Sequence, residues 1–435
     1  MEKNPEQLEQ LDERTYTLSS AFYQSYQHNE PTHFTTIGDL DRTIHKLIRS
    51  HQTIEAVYLI KNNISLIKEN IDLPSTSYFL TLLLDNNELQ TAAELYDAIQ
   101  LLGNTIVMAN SRFAMAKYTL KRNKWQQTLD YLKGISGKLT DEDSEHATLI
   151  EGFALQKLKR HRDAIAIYEK SSKNSTFYPL SATNLAVAFI RQDWWTDGHL
   201  ALTQLLNEKE SQRSDELDNR IHVTLGYSLM RKEYYRDARE AFRKVSLESQ
   251  YTNRALLGIA LTAINQNDFV GALNAINILK AKNSYDLPAE EAYLLQPYIY
   301  SKLQQHLTSS AGFNEAISHY QKRIKEIESI LKLQDGITNQ LKTRNNSLMI
   351  NHYRFDLSQH YPPAFLENFQ LVKKLANQAQ GDELKQSLQL LEKEYRTILI
   401  EIAHRMLNER IAHLNSYIDQ SRYGLALLFD NSLAE

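Results

Sequence analysis

The chain has 435 residues, with 49 Lys and Arg against 53 Asp and Glu, a formal net charge of −4 at pH 7. So even a balance gives no bulk pull toward nucleic acid, and no nucleic-acid partner is expected. The absence of cysteine excludes disulfides, Cys-type zinc sites and thiol nucleophiles, and it suits an oxidising compartment.

With only 13 Gly and 8 Pro among many good helix formers, the composition predicts an all-α protein. Strand signals, meaning β-branched alternation bounded by Asn-Gly or Asp-Gly turns, are nearly absent. The N-terminal region predicts a helix over Leu8–Tyr26, then a polar link, HNEPTH, ending near Thr36. No apolar run is long enough to span a membrane. The first residues, MEKNPEQLEQLDERTY, hold no apolar signal core. The expectation is a cytoplasmic protein, or one whose export signal has been trimmed.

A repeat starts near Ile37. Ile44, Leu80, Ala116, Gly152, Ala186, Gly226 and Ala260 form a ladder with steps of 36, 36, 36, 34, 40 and 34 residues. Twelve places after each rung stand Ala56, Ala92, Thr128, Ala164, Gly198, Ala238 and Ala272. Four further on stand Ile60, Tyr96, Leu132, Tyr168, Leu202, Phe242 and Ile276. The physical reason for such spacing is close packing. Two helices approach nearest where side chains are small, and a large residue one turn on fills the next gap. Ile44 and Leu80 are bulky for a rung, so the first two repeats read as degenerate. Pro74, Pro179 and Pro288 each stand at the start of a first helix, where a missing N–H is harmless.

An eighth, modified repeat follows, with Phe313, Ala316 and Tyr320 as its second-helix signature, a longer turn (QQHLTSSAG) and a kink expected at Pro297. Apolar spacing continues past Leu331, weakened at Gly336, and HYPPAF then breaks the chain. A second long stretch carries Leu384, Leu388, Leu391, Tyr395, Ile398, Ile402 and Leu414 on one side. Two long amphipathic helices predict an antiparallel hairpin closing the repeats. The alternative is a coiled coil that pairs between chains, which predicts self-association. Three segments result: an N-terminal helix and link over 1–36, repeats over 37–312, and long helices over 313–435 that continue the last repeat.

This small–large grammar, seen most fully in LGYSLMRKEYYRDAREAFRKV, resembles the tetratricopeptide repeat (TPR). The resemblance implies a right-handed α-solenoid of helix–turn–helix repeats that works through protein–protein contacts. TNLAVAFIRQDWW, TNRALLGIAL, EEAYLLQPYIYSKL and the terminal YIDQSRYGLALLFD are similar to TPR proteins of bacterial, Gram-negative cell envelopes. Members of that group usually begin with an export signal, which this sequence lacks, and they carry no catalytic motif.

The residues themselves point the same way. Glu401 and His404 have the E-x-x-H spacing of a di-iron ligand pair, but no second pair occurs. Gly134-Ile-Ser-Gly137-Lys138 lacks the first glycine and the strand of a phosphate loop, and reads as a turn. No nucleophile sits in a recognisable context, so the expectation is a non-enzyme with no cofactor and no metal.

Charge carries the site prediction. Five places after each rung stand Arg49, Asp85, Lys121, Lys157, Arg191, Arg231 and Asn265. The resemblance places this position on the concave groove, together with Lys117, Arg220 and Arg254 and the apolar Phe113, Phe153, Val187 and Tyr227. A cationic row interleaved with apolar pockets suits an extended acidic peptide of a protein partner. Cations at helix C-termini are also favoured by the dipole alone, by roughly 0.3–1 kcal/mol each. Trp195 is expected to pack between helices, and Trp194, one residue off that face, is a candidate contact. The reading is a non-catalytic scaffold or adaptor. The alternative is a peptide- or ligand-responsive regulator whose C-terminal helices are its output.

Overall fold

In the computed structural model, residues 5–26, 33–208, 213–332, 341–344, 347–358 and 361–434 are described. Helix α1 spans Pro5–Ser25. Eight helix pairs follow. They are α2 (Ile37–Arg49) with α3 (Thr53–Asn62), trailed by a short α4 (Ile64–Glu69), then α5 (Pro74–Asp85) with α6 (Leu89–Leu102) and α7 (Thr105–Lys121) with α8 (Trp125–Leu132). Next come α9 (Asp141–Lys157) with α10 (His161–Tyr168), and α11 (Tyr178–Arg191) with α12 (Trp195–Asn207). The last three are α13 (Asp215–Arg231) with α14 (Tyr235–Arg243), α15 (Thr252–Asn265) with α16 (Phe269–Ala281), and α17 (Leu287–Lys302) with α18 (His306–Lys332). Strands β1 (Leu341–Arg344), β2 (Ser347–Ile350) and β3 (Tyr353–Asp356) precede α19 (Pro363–Gln378) and the 53-residue α20 (Asp382–Ala434).

The described residues form two compact units. Unit one is Met1–Ser181 with Leu357–Ile398, and unit two is Ala182–Asp356 with Leu399–Glu435. Each therefore combines successive repeats with part of the C-terminal third.

The ladder is the core. Ile44, Leu80, Ala116, Ala186 and Ala260 are all 0% exposed, and Gly152 and Gly226 are buried with them. The bulky first two rungs are thus packed as tightly as the small ones. Tyr96 is the one large position that is not buried, and it turns its ring edge-on to Tyr131 at 6.0 Å. Leu80 already fills the volume that a small rung would leave for it.

The turns within the pairs share one device. Seven residues after each rung, His51, Asn87, Asn123, Lys159, Asp193, Glu233 and Asn267 take φ between 53° and 65°. The N–H of the next residue bonds back to the carbonyl three past the rung, at 2.9–3.0 Å in every pair. That is a left-handed helix stop with the 6→1 bond of the Schellman motif. None of the seven is glycine, although a Cβ in this region costs roughly 1–2 kcal/mol. Exposed Glu233 therefore offers a gain. Glu233→Gly should raise stability by about 0.5–1 kcal/mol, read as a higher denaturant midpoint, and an unchanged or lower midpoint would refute it.

The same device fixes the eighth repeat and corrects its expected register. Gln304 has φ 59°, so the rung is Pro297, and Ser309 and Phe313 follow at the linked offsets. Ser309 is 0% exposed and donates to the Pro297 carbonyl at 2.8 Å. The turn is not lengthened, since α18 already starts at His306. Proline fits the rung because it is compact there and faces Gly312, and α17 continues through it.

The two long helices are present. In unit two α18 and the later part of α20 pack antiparallel, with Tyr320 at 5.4 Å from Tyr417 and Phe313 against Gly424. Between the long helices lies structure that the sequence reading lacks. The strands form an antiparallel sheet in the order β1-β2-β3, with Leu348 facing Phe355 and Ile350 facing Tyr353. Four-residue strands without an Asn-Gly turn give too little alternation to detect. Asn351, at φ 52°, turns β2 into β3. The expected continuation of the helical spacing through Ile337 to Leu341 falls outside the described residues over 333–340, and at Leu341 it is replaced by the start of β1.

Candidate functional site

Each first helix ends at the residue five past its rung, where the last carbonyls favour a cation. The corrected eighth repeat adds Lys302 to Arg49, Lys121, Lys157, Arg191 and Arg231, which makes six cations among eight positions. Lys302 escapes the sequence pattern because the Phe313, Ala316 and Tyr320 signature sets a register seven residues later than the Pro297 rung. Lys157, Arg191, Arg231 and Lys302 are exposed. Among the described residues no carboxylate lies within ion-pair distance of these four.

In unit one, Lys157 lies over two rings, 5.2 Å from the Phe153 centroid and 5.8 Å from that of Trp125. Phe153 is half-buried, so this cation and its aromatic floor reach the surface together. Phe113 does not. It is 2% exposed inside the α7–α8 core, so it supports the surface from below and cannot touch a ligand. Lys117 covers its ring at 4.5 Å. His146 stacks on Phe177 at 4.5 Å and meets Phe113 edge-on, and burial with Lys117 nearby holds its pKa below the ordinary histidine value.

In unit two, Val187 is half-buried and Arg191 and Arg220 are exposed. Tyr227 donates to the Arg254 carbonyl at 2.9 Å, and the Arg254 guanidinium sits 5.8 Å from its ring centroid. Burial pushes the Tyr227 hydroxyl up to about 12, so it stays a neutral donor. Arg231 lies 5.5 Å from the Trp195 centroid. Trp195 is half-buried, as expected of an inter-helix residue, while Trp194 is 41% exposed.

One position of the row is already engaged. Lys121 binds Asp85, one repeat back, at 3.0 Å and Glu367 of α19 at 3.3 Å. Burial lowers the Lys121 pKa, but Asp85 and Glu367 outweigh it and hold the group above the ordinary lysine value. Beside it, Asn368 accepts from Asn87 at 2.8 Å and donates to Asp12 of α1. Asp12 pairs with Arg122 at 3.2 Å, and Arg122 donates to Asn87 at 2.8 Å. The chain thus lays its own helices on the first-helix ends of repeats two and three, through an acidic side chain on a basic one. Nothing local in the sequence relates Asp12 or Glu367 to residues more than a hundred positions away.

Among the described residues no group of three His, Asp or Glu side chains is placed to hold a metal ion. Gly134 and Gly137 lie in the turn after α8 with φ 75° and 74°. No described helix is long and apolar enough to cross a membrane.

These helix pairs, with one spacing, one turn and one buried ladder, define an all-α helical-repeat protein of TPR type. No protein-family model matches the chain, and no curated protein does. Among solved structures it is similar to a tetratricopeptide repeat protein from Parabacteroides merdae, at 12% identity over 66% of this chain and 98% of that one, with a TM-score of 0.38. It is also similar to the apo form of RapI, at 11% identity, 85% and 98% coverage and a TM-score of 0.46. The apo form of the quorum sensor NprR from B. thuringiensis matches at 13% identity, 84% and 99% coverage and a TM-score of 0.37. At these identities the likeness concerns the fold alone.

Proposed function

We propose that the protein is a non-catalytic scaffold that binds an acidic segment of a partner protein along the ends of its first helices. The observation that carries this reading is the Lys121–Glu367 pair, where a carboxylate on a helix already occupies one position of the basic row. Lys157, Arg191, Arg231 and Lys302 offer the same chemistry to another chain. The proposed setting is a bacterial envelope assembly, on the wording shared with envelope TPR proteins. A second reading has one observation behind it. Because α20 belongs in part to each unit, a ligand that displaced α19 would free the adjoining helix, as a peptide-responsive regulator requires.

Exposed cations act on a ligand mainly through field and steering, with a reach of about 8 Å at physiological ionic strength. Partner capture should therefore weaken as salt rises. Arg191→Glu combined with Arg231→Glu, both in unit two, should abolish capture by that unit, with helicity and unfolding midpoint unchanged. Arg236→Glu with Arg243→Glu, on a second helix, should leave it intact. Equal loss in both double variants, in a quantitative binding assay, would reduce the row to helix-end electrostatics.

A further inference from the structure

The edge formed by the turns within the helix pairs is covered in unit one at repeat two and at Arg122 of repeat three, while His51, Gln52, Lys159 and Arg160 leave it exposed at repeats one and four. Asn87, seven past its rung, is 2% exposed, and Glu88, eight past, is 0% exposed. Arg122, six past the rung of repeat three, has a 7% exposed side chain and meets Asp12 of α1 at 3.2 Å. The covering helix α1 is acidic and amphipathic. It carries Glu6, Glu9, Asp12 and Glu13 against Arg14, and it buries Leu11, Phe22 and Tyr23. At this edge Asp12 of α1 pairs with the cation, and Asn368 of α19 accepts from Asn87.

Unit two leaves the corresponding edge of repeats five and six bare. Trp194, eight past its rung, is 41% exposed, and Tyr234, at the same place in the next repeat, is 58% exposed. Lys232 is the counterpart of Arg122. Its ammonium sits 4.1 Å from the Trp195 centroid, and among the described residues no carboxylate is within ion-pair distance. The ring contact holds the lysine in place and leaves its outward donors to solvent. Two exposed aromatic rings beside an unpaired cation form the kind of anchor group that dominates interfaces.

We propose that this turn edge docks an acidic amphipathic helix of a partner protein, its carboxylate on Lys232 and its apolar face over Trp194 and Tyr234. Asp12 of α1 already makes that carboxylate–cation pair with Arg122 inside unit one. The surface adjoins the row of first-helix ends, since Arg231 and Lys232 share the Trp195 ring, but Lys232, Trp194 and Tyr234 are not members of that row.

A fluorescently labelled peptide spanning residues 5–26 is the probe, titrated against the full chain by anisotropy. The expected result is saturable binding, weakened about tenfold by Lys232→Glu and by Tyr234→Ser, and likewise by Asp12→Lys in the peptide. Tyr234→Ser replaces an exposed side chain, so its unfolding midpoint should not move. Lys157→Glu should leave peptide binding unaltered, whatever it does to partner capture. No saturable binding, or binding that survives all three changes, overturns the proposal. So does loss on Arg122→Glu while Lys232→Glu is harmless, since the peptide would then be replacing α1 in its own unit. A dimer in the absence of peptide that dissociates on Tyr234→Ser also overturns it, because a second copy would be the occupant.

Discussion

Gly226→Leu should destabilise unit two by 3 kcal/mol or more, and even Gly226→Ala by about 1–3 kcal/mol. The sign is the informative part. In an open helix, Gly→Ala stabilises by roughly 1 kcal/mol through backbone entropy. Here a Cβ on residue 226 would stand 2.5 Å from a ring carbon of Phe242. Ordinarily a ring could shift, but Phe242 is held from its other side by Gly258, where a Cβ would also come within 2.5 Å. The ring is 1% exposed and meets Tyr227 edge-on at 4.9 Å, so it has no free volume to enter. Overpacking therefore outweighs the propensity gain. Shortening the ring should recover part of the loss, so Gly226→Ala with Phe242→Leu should be less destabilised than the two single changes added together. Additive losses, or a Gly226→Ala midpoint above that of the unaltered protein, would contradict this packing.

The repeat was legible because its cause is local. A glycine rung and an aromatic sixteen places on recur as Gly152 with Tyr168 and as Gly226 with Phe242, and both pairs meet in the structure. Where the rung is alanine the partner is Leu132, Leu202 or Ile276, a smaller filler for a smaller gap. The eighth repeat defeated this grammar because its small residue is Pro297, a type read as a helix breaker. The left-handed stop at Gln304 marks that rung, but glutamine there, unlike Asn87, Asn123 and Asn267 at the same place, leaves no sequence signal. Phe313 then meets Gly424 of α20, as Phe242 meets Gly258 in the next repeat, so a helix remote in sequence serves as the following first helix.

The site was legible in its periodic half only. Cations at one helical position align without knowledge of tertiary structure, and Lys157, Arg191 and Arg231 stand exposed as that spacing requires. Burial was less legible, because Phe113 belongs to the inward face of the same helix that presents Lys117. The engagement of Lys121 by Glu367, and of Arg122 by Asp12, depends on α1 and α19 folding back over the repeats. No helical or strand period encodes such a return.

Glu290→Ala should cost about 3–5 kcal/mol, because it leaves buried cations without their counter-charge. The Glu290 side chain is 2% exposed and lies 3.2 Å from Arg323, whose own side chain is 5% exposed. Its other oxygen is 2.7 Å from His319 Nε2, and that imidazole stacks on Tyr293 at 3.7 Å. Arg323 is fixed by Asn283 at 3.1 Å and by the Tyr285 ring at 3.6 Å, so it cannot swing to water when the carboxylate is removed. Glu326, at 3.4 Å and part-exposed, is too screened to replace a buried partner. Arg410 adds to the cost. Burial pulls its pKa below the ordinary arginine value, and Glu290 is the largest influence drawing it back up. Removing the pair together is a different experiment. Glu290→Leu with Arg323→Met replaces two desolvated charges by apolar groups of similar length, and should recover much of the lost stability. Equilibrium unfolding of the two single variants and the double variant closes the cycle. A loss below about 1 kcal/mol for Glu290→Ala would place the pair among solvent-screened contacts. A double variant no better than Glu290→Ala would trace the loss to packing around α17 and α18, with no share owed to uncompensated charge.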